Sequence, residues 1–109
     1  DRGASGLMSS YPLKIEVYAD DGTQTTVNCN ETGDFDSAEY SEKKIQRENI
    51  VRVVFPDGLR GTGNLCKECK NLVHVKLPEG LETISYQAFS DCSKLGSIEI
   101  PASVKLIDE

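Results

Sequence analysis

Apolar and polar residues alternate from Tyr11 onward: Leu13, Ile15 and Val17 face one way, Lys14, Glu16 and Tyr18 the other. That period of two predicts a half-buried β-strand. Asp21-Gly22 follows between two extended runs, and both residue types tolerate the positive φ of a tight hairpin turn. The return strand is expected over 23–30, with Thr25, Val27 and Cys29 on its apolar side. "ETGDFD" then breaks the alternation, and 36–49 reads as a helix. Asp36 with Glu39 fits a capping box, in which each side chain satisfies an orphan backbone amide. Glu39 and Glu42 come early, and Lys43, Lys44 and Arg47 late, which suits the helix dipole. The helix's apolar side is thin: Ala38, Ser41 and Ile45, with Phe35 or Tyr40 at the margins. It is expected to act as a lid rather than as core.

Beyond Asn49 the apolar pattern repeats. Leu72 meets Leu95 at a step of 23, and at the same step Val75 meets Ile98, Leu77 meets Ile100, Pro78 meets Pro101, Leu81 meets Val104 and Ile84 meets Ile107. An earlier copy aligns Ile50 with Leu72, Val53 with Val75, Phe55 with Leu77, Pro56 with Pro78 and Leu59 with Leu81, at a step of 22. Cys69 returns to the place of Cys92, and Leu65-Cys66 occupies the place of Ala88-Phe89. One such copy has a single apolar side and cannot bury it alone. Stacked copies set equivalent residues above one another at roughly the 4.8 Å strand spacing, which makes one continuous core. Proline at the end of each strand has no amide to donate, so it ends the ladder and turns the chain. A period of this length with this leucine spacing reads as a leucine-rich solenoid. The hairpin lies outside the repeat.

The run Leu72-x-x-Val75-x-Leu77-Pro78-x-x-Leu81-x-x-Ile84-x-x-x-Ala88-Phe89-x-x-Cys92-x-x-Leu95 resembles the BspA-like leucine-rich repeat. The resemblance covers about residues 50–109 and is most specific over 70–101. Thr62 and Leu65-Cys66 depart from it, which makes the first copy degenerate. It implies an α+β fold: a short solenoid of about 23-residue repeats, topped by an N-terminal hairpin and helix that resemble a cap by position. It also implies a non-enzymatic scaffold that binds a protein ligand, similar to bacterial surface and adhesion proteins and to large repeat sets in protists.

The expected organisation follows. Residues 1–7 are an expression scar before a native start at Met8, 8–48 form the cap, and 49–109 hold two copies and a partial third, cut from a longer array. A fragment of this kind is also compatible with a passive structural segment of a larger protein. An unfinished third copy exposes a strand edge over 95–100, so self-association through the open C-terminal end is expected.

Composition narrows the partners. The formal net charge is −6, with 12 Lys and Arg against 18 Asp and Glu; nucleic-acid binding, which needs a basic face, is not expected. No stretch approaches the roughly 18–20 apolar residues that span a bilayer, so no membrane association is expected. A start at Met8 carries no apolar leader and predicts a cytoplasmic home; otherwise the cell surface or secretion is expected.

Alternation along the repeat strands defines the candidate binding face. With Val53, Phe55, Val75, Leu77, Ile98 and Ile100 inward, the outward set is Arg52, Val54, His74, Lys76, Ser97 and Glu99. These form two columns, Arg52-His74-Ser97 and Val54-Lys76-Glu99, the latter with an expected Lys76–Glu99 ion pair worth roughly a few tenths of a kcal/mol. The alternative chemistry is a small zinc-binding or redox protein built on Cys66-x-x-Cys69, His74 and Cys92. Structural zinc sites use two close ligand pairs, and here the second pair is missing. The cysteines fit better as small core residues at equivalent repeat positions, with free thiols; a Cys69–Cys92 or cap-to-repeat disulfide is the other possibility. Asn30-Glu31-Thr32 satisfies a glycosylation sequon that matters only if the protein is secreted. "DGLRGTG" lacks the G-K-[ST] ending of a phosphate loop. No nucleophile–base pair can be assembled, so no catalytic residue and no cofactor is expected.

Overall fold

The computed structural model describes residues 13–30, 34–85, 88–96, 98 and 100–107. The alternating stretch forms β1 (Lys14–Ala19), and its return forms β2 (Gln24–Asn28), in antiparallel register from Lys14↔Asn28 to Tyr18↔Gln24. Gly22 makes the turn at φ +91°. The repeat strands are β3 (Ile50–Val54) and β4 (His74–Lys76), paired in parallel as Arg52↔His74, Val53↔Val75 and Val54↔Lys76. These are the pairs that the repeat alignment predicts. The hairpin does not stand apart: β1 pairs antiparallel with β3, so the sheet runs β2-β1-β3-β4. Ile15, Val17, Val27 and Val53 point from this sheet into the core.

The second half of each copy stacks in its own ladder. β5 (Thr83–Ile84) and β6 (Leu106–Ile107) pair in parallel, and isolated parallel bridges join Gly61 to Thr83 and Asp34 to Gly61. The third copy is thereby held through β6, whereas 95–100 carries no strand among its described residues. Leu59, Leu72 and Leu81 are fully buried between the ladders, each contributing about 1.5–3 kcal/mol of burial. Four hydroxyl or amide side chains reach back one copy to backbone carbonyls: Asn71 to Glu48, Thr83 to Arg60, Ser93 to Lys70 and Ser103 to Leu81. They satisfy acceptors that the short ladders leave over.

Three expectations are corrected. The helix is shorter than 36–49: α1 spans Ser37–Glu42, and a 3₁₀ turn follows at Arg47–Asn49. Lys44 ends it with φ +55°, a left-handed conformation that no helix continues through. In so short a helix the packing residue is Tyr40, only 7% exposed, while Ala38 and Ser41 are exposed. Tyr40 is core rather than lid because its ring lies 5.7 Å from that of Phe35 and its hydroxyl donates to the Leu65 carbonyl at 3.5 Å. The capping box closes on one side only. Asp36 accepts from the Ala38 and Glu39 amides, but Glu39 accepts from the Asn28 amide and so ties α1 to β2. Finally, Ile100 is 46% exposed rather than inward, and 95–100 forms no strand among its described residues that would set its alternation.

The same left-handed residue recurs. Lys44, Glu68 and Asp91 have φ +55°, +62° and +61°, and each precedes an apolar position, Ile45, Cys69 or Cys92. The turn after α1 therefore shares a left-handed residue with the turns in the next two copies. Repeat geometry begins ahead of β3.

Candidate functional site

The outward side of the four-stranded sheet is a continuous polar surface. Cross-strand register sets Gln24, Tyr18, Arg52 and His74 in one row, and Thr26, Glu16, Val54 and Lys76 in the next. Arg52, His74 and Lys76 are exposed, and Glu16, Tyr18 and Val54 half-buried. Two of the predicted columns are thus brought together over their first two copies. Ser97 and Glu99, the expected third rung, lie outside the described residues, as does the Lys76–Glu99 pair.

Tyr18 and Glu16 belong to this face although the repeat does not contain them. The Arg52 guanidinium sits over the Tyr18 ring, 5.0 Å from its centroid, a contact worth about 0.5–1 kcal/mol at an exposed site. The Tyr18 hydroxyl donates to the Glu16 carboxylate at 2.6 Å, and this bond holds the phenol above its usual ionisation range. Their outward phase is legible in the alternation of 13–18. What joins them to Arg52 is the β1–β3 pairing, for which the sequence carries no periodic signal.

Alongside β4 the surface falls into a groove of ≈ 490 Å³ lined in part by Val73, His74, Lys76 and Ile98. Val73, 58% exposed, is an apolar part of its lining and Glu79 an acidic one. A larger hollow of ≈ 680 Å³ follows the turns at 45–48, 68–70 and 91–93. Its charges, from Glu48, Glu68, Lys70 and Asp91 among others, are mixed in sign, and Arg47 is committed to backbone carbonyls there.

The alternative ligand set is not assembled. Cys66 and Cys69 are buried, Cys92 is half-buried, and His74 is exposed on β4. Among the described residues no group of three or more His, Cys, Asp or Glu is placed to hold a metal ion. All four cysteines are free thiols. The Cys92 thiol donates to the Cys66 carbonyl at 2.9 Å, and that of Cys69 to the Leu65 carbonyl at 3.6 Å. Burial pushes Cys29 up to about 11, Cys69 up to about 12, and Cys66 and Cys92 upward as well. The thiolate is the nucleophile and the metal ligand, so these thiols are held in their unreactive form.

Slow thiol chemistry is the expected result. At pH about 8, a chromogenic disulfide reagent should titrate Cys92 first and Cys29, Cys66 and Cys69 only as the chain opens, with all four reacting at once in denaturant. Prompt reaction of Cys66 or Cys69 in the folded protein would contradict it. The sign of the linkage is fixed: a raised thiol pKa stabilises the fold fully below the ordinary value of 9.0, and that contribution is lost as pH climbs from there towards about 12.

A family model described as "BspA type Leucine rich repeat region (6 copies)" matches residues 35–109. The chain belongs to this family. The match starts at Phe35, ahead of the resemblance read from residue 50, in accord with the recurrent left-handed turn at Lys44, Glu68 and Asp91. A small mixed sheet with few helices fits an α+β repeat fold, and membership in the BspA type is consistent with a protein-interaction repeat module. Repeats of this type are generally non-enzymatic. No curated protein and no solved structure matches the chain. Among the described residues, no helix is long and apolar enough to cross a membrane.

Proposed function

We propose that this BspA-type repeat region is a non-enzymatic module that binds a protein partner through the outward face of β1, β3 and β4. In this reading the copies form a short solenoid, and the hairpin with α1 caps its N-terminal end. The observation that carries it is the continuity of the face across two kinds of junction. Tyr18 pairs with Arg52 across an antiparallel ladder, and Arg52 with His74 across a parallel one. The backbone beneath is fixed by a buried core of Ile15, Val17 and Val53. A partner therefore meets a preorganised surface, and little ordering entropy opposes binding. Ser97 and Glu99 extend the proposed site by one further copy.

Selection of displayed peptides against the chain, followed by affinity measurement with charge-reversed variants, tests the assignment. Arg52→Glu and Lys76→Glu should each weaken a selected binder at least about tenfold, or ~1.4 kcal/mol. Lys76 is exposed, so Lys76→Glu should leave thermal unfolding within about 0.5 kcal/mol of the parent, whereas Arg52→Glu also loses the stack on Tyr18 and should unfold at a modestly lower temperature. Lys94→Glu reverses an exposed charge in a turn off the sheet and should leave binding intact. Binders that respond equally to all three variants would place the site elsewhere.

A further inference from the structure

We infer that Glu39 is an edge guard: its carboxylate occupies the rung at which a further strand would join β2, and without it β2 pairs with the β2 of a second copy. The inference is independent of the face proposed above.

The outer edge of the sheet supplies the first argument. β2 is the terminal strand of the order β2-β1-β3-β4. Its odd-numbered residues turn their peptide groups to β1, since the Cys29 amide donates to the Leu13 carbonyl and the Ala19 amide to the Thr23 carbonyl. An antiparallel ladder alternates, so Gln24, Thr26 and Asn28 turn theirs outward. This outer row is closed at one end and open at the other. The Asn30 amide donates to the Asp34 carbonyl at 3.0 Å, and the Asn28 amide to the Glu39 carboxylate at 3.1 Å. The outward peptide groups of Gln24 and Thr26 meet no partner among the described residues.

The strand itself carries no protection. Edge strands are blunted by charged side chains, by proline or by a bulge. β2 reads Gln24-Thr25-Thr26-Val27-Asn28, without a charge or a proline, and its register against β1 is regular throughout. Protection comes instead from α1. The Glu39 carboxylate stands where the carbonyl of an added strand would stand, and an ionised acceptor makes the stronger bond. Asp36 accepts from the Glu39 amide at 3.2 Å, and Lys43 lies 3.5 Å from the Glu39 carboxylate, so the side chain is held in place. What remains open, Gln24 to Thr26, is shorter than the roughly three residues of the shortest strands.

The occupant follows from the same five residues. Turned antiparallel about Thr26, a second β2 sets Thr26 against Thr26, Gln24 against Asn28 and Thr25 against Val27. Threonine and β-branched pairs favour such a ladder, and no like charges oppose it. The Asn28 rung is needed for that register, and Glu39 holds it.

Molar mass by light scattering, over a concentration series of the whole chain, tests the guard. Glu39→Ala should associate at concentrations at least about tenfold below any at which the parent does. Glu39→Gln keeps an oxygen for the Asn28 amide and should behave as the parent. Adding Thr26→Pro to Glu39→Ala should restore the parent's behaviour, because proline has no amide to give a new ladder and is tolerated where that amide faces outward. An alanine variant that is folded by circular dichroism and keeps the parent's mass overturns the inference. So does association that survives Thr26→Pro, since it would run through another surface. Hydrogen exchange on the parent needs no variant: the Asn28 amide should be protected at least about tenfold over that of Thr26. Equal exchange of the two amides would overturn the guard whatever the variants do.

Discussion

Gly63→Ala should destabilise the protein by about 2–5 kcal/mol, the sum of a left-handed backbone penalty and forced overpacking. Gly63 has φ +60°, and a Cβ built on it would collide with Cδ2 of Phe35 and lie 2.6 Å from its Cγ and 2.8 Å from its Cβ. Rotating the Phe35 ring does not relieve this, because its own Cβ is in the way. Nor is the ring free to leave, since it packs on Tyr40. For a chain of this size the loss corresponds to a fall in Tm of roughly 10–20 °C, read by calorimetry or circular dichroism. The double variant Phe35→Ala with Gly63→Ala separates the two causes. The steric part should vanish in it, leaving a coupling of about 1–3 kcal/mol in a double-mutant cycle. A single variant that melts within about 2 °C of the parent would show that Phe35 does not seat on this turn. The contact joins the segment that begins at Phe35 to the next copy, so the experiment also tests where stacking begins.

The parts of the fold written as periodicity were legible. Alternation over 13–18 marked β1, Asp21-Gly22 marked its turn, and the step of 22 between Val53 and Val75 marked the parallel register of β3 with β4. Each is a local or self-referential signal: the residue type carries the geometry, or the chain is compared with itself. Where the hairpin attaches is neither. β1 has two edges, and the choice of β3 as its second partner depends on which buried surfaces fit. The true extent of α1 was hidden for a similar reason. Lys44 carries no mark of its left-handed conformation, since lysine is not a residue type that announces one. Comparison of Lys44 with Glu68 and Asp91 shows a repeat of shape without a repeat of sequence.

The candidate face was half legible on the same logic. Arg52, Val54, His74 and Lys76 followed from alternation in the repeat strands, and they stand where that pattern set them. Tyr18 and Glu16 had the correct phase but no known neighbour, so the stack on Arg52 and the hydrogen bond that orients it went unread. Glu39 was read as half of a capping box, and its carboxylate instead meets the first free amide it can reach, that of Asn28. A sequence motif specifies which groups can bond. It does not specify which competitor the tertiary fold brings closer.

Arg47→Met should cost about 2–4 kcal/mol, with Arg47→Lys recovering only a minor part. Read along the sequence, Arg47 is simply a base near the end of a helix. In the structure its Nη1 donates to the Asn64 and Leu65 carbonyls at 3.0 Å each and reaches the Lys67 carbonyl as well. These three oxygens lie in the tight turns over 63–68, where the Asn64 carbonyl also accepts from the Lys67 amide and the Leu65 carbonyl from the Tyr40 hydroxyl, so the guanidinium adds a charged donor to an existing set of bonds. The guanidinium also lies 5.2 Å from the Tyr40 ring centroid, so one side chain binds α1, the 3₁₀ turn and the first repeat turn together. Methionine keeps most of the packing volume but removes the charged donor to these carbonyls, and a hydrogen bond to a charged group is worth about 1.5–3 kcal/mol. Lysine restores the charge but lacks the flat guanidinium that lies over the Tyr40 ring while its Nη1 reaches the turn carbonyls. Amide hydrogen exchange distinguishes this from a general loss of stability. Lys67 and Cys69, whose amides bond within the clamped turn, should lose protection before Val53 in the sheet core does. Uniform loss across the turn and the sheet would instead show that the turn and the sheet open as one unit, and that Arg47 adds to stability without clamping anything in particular.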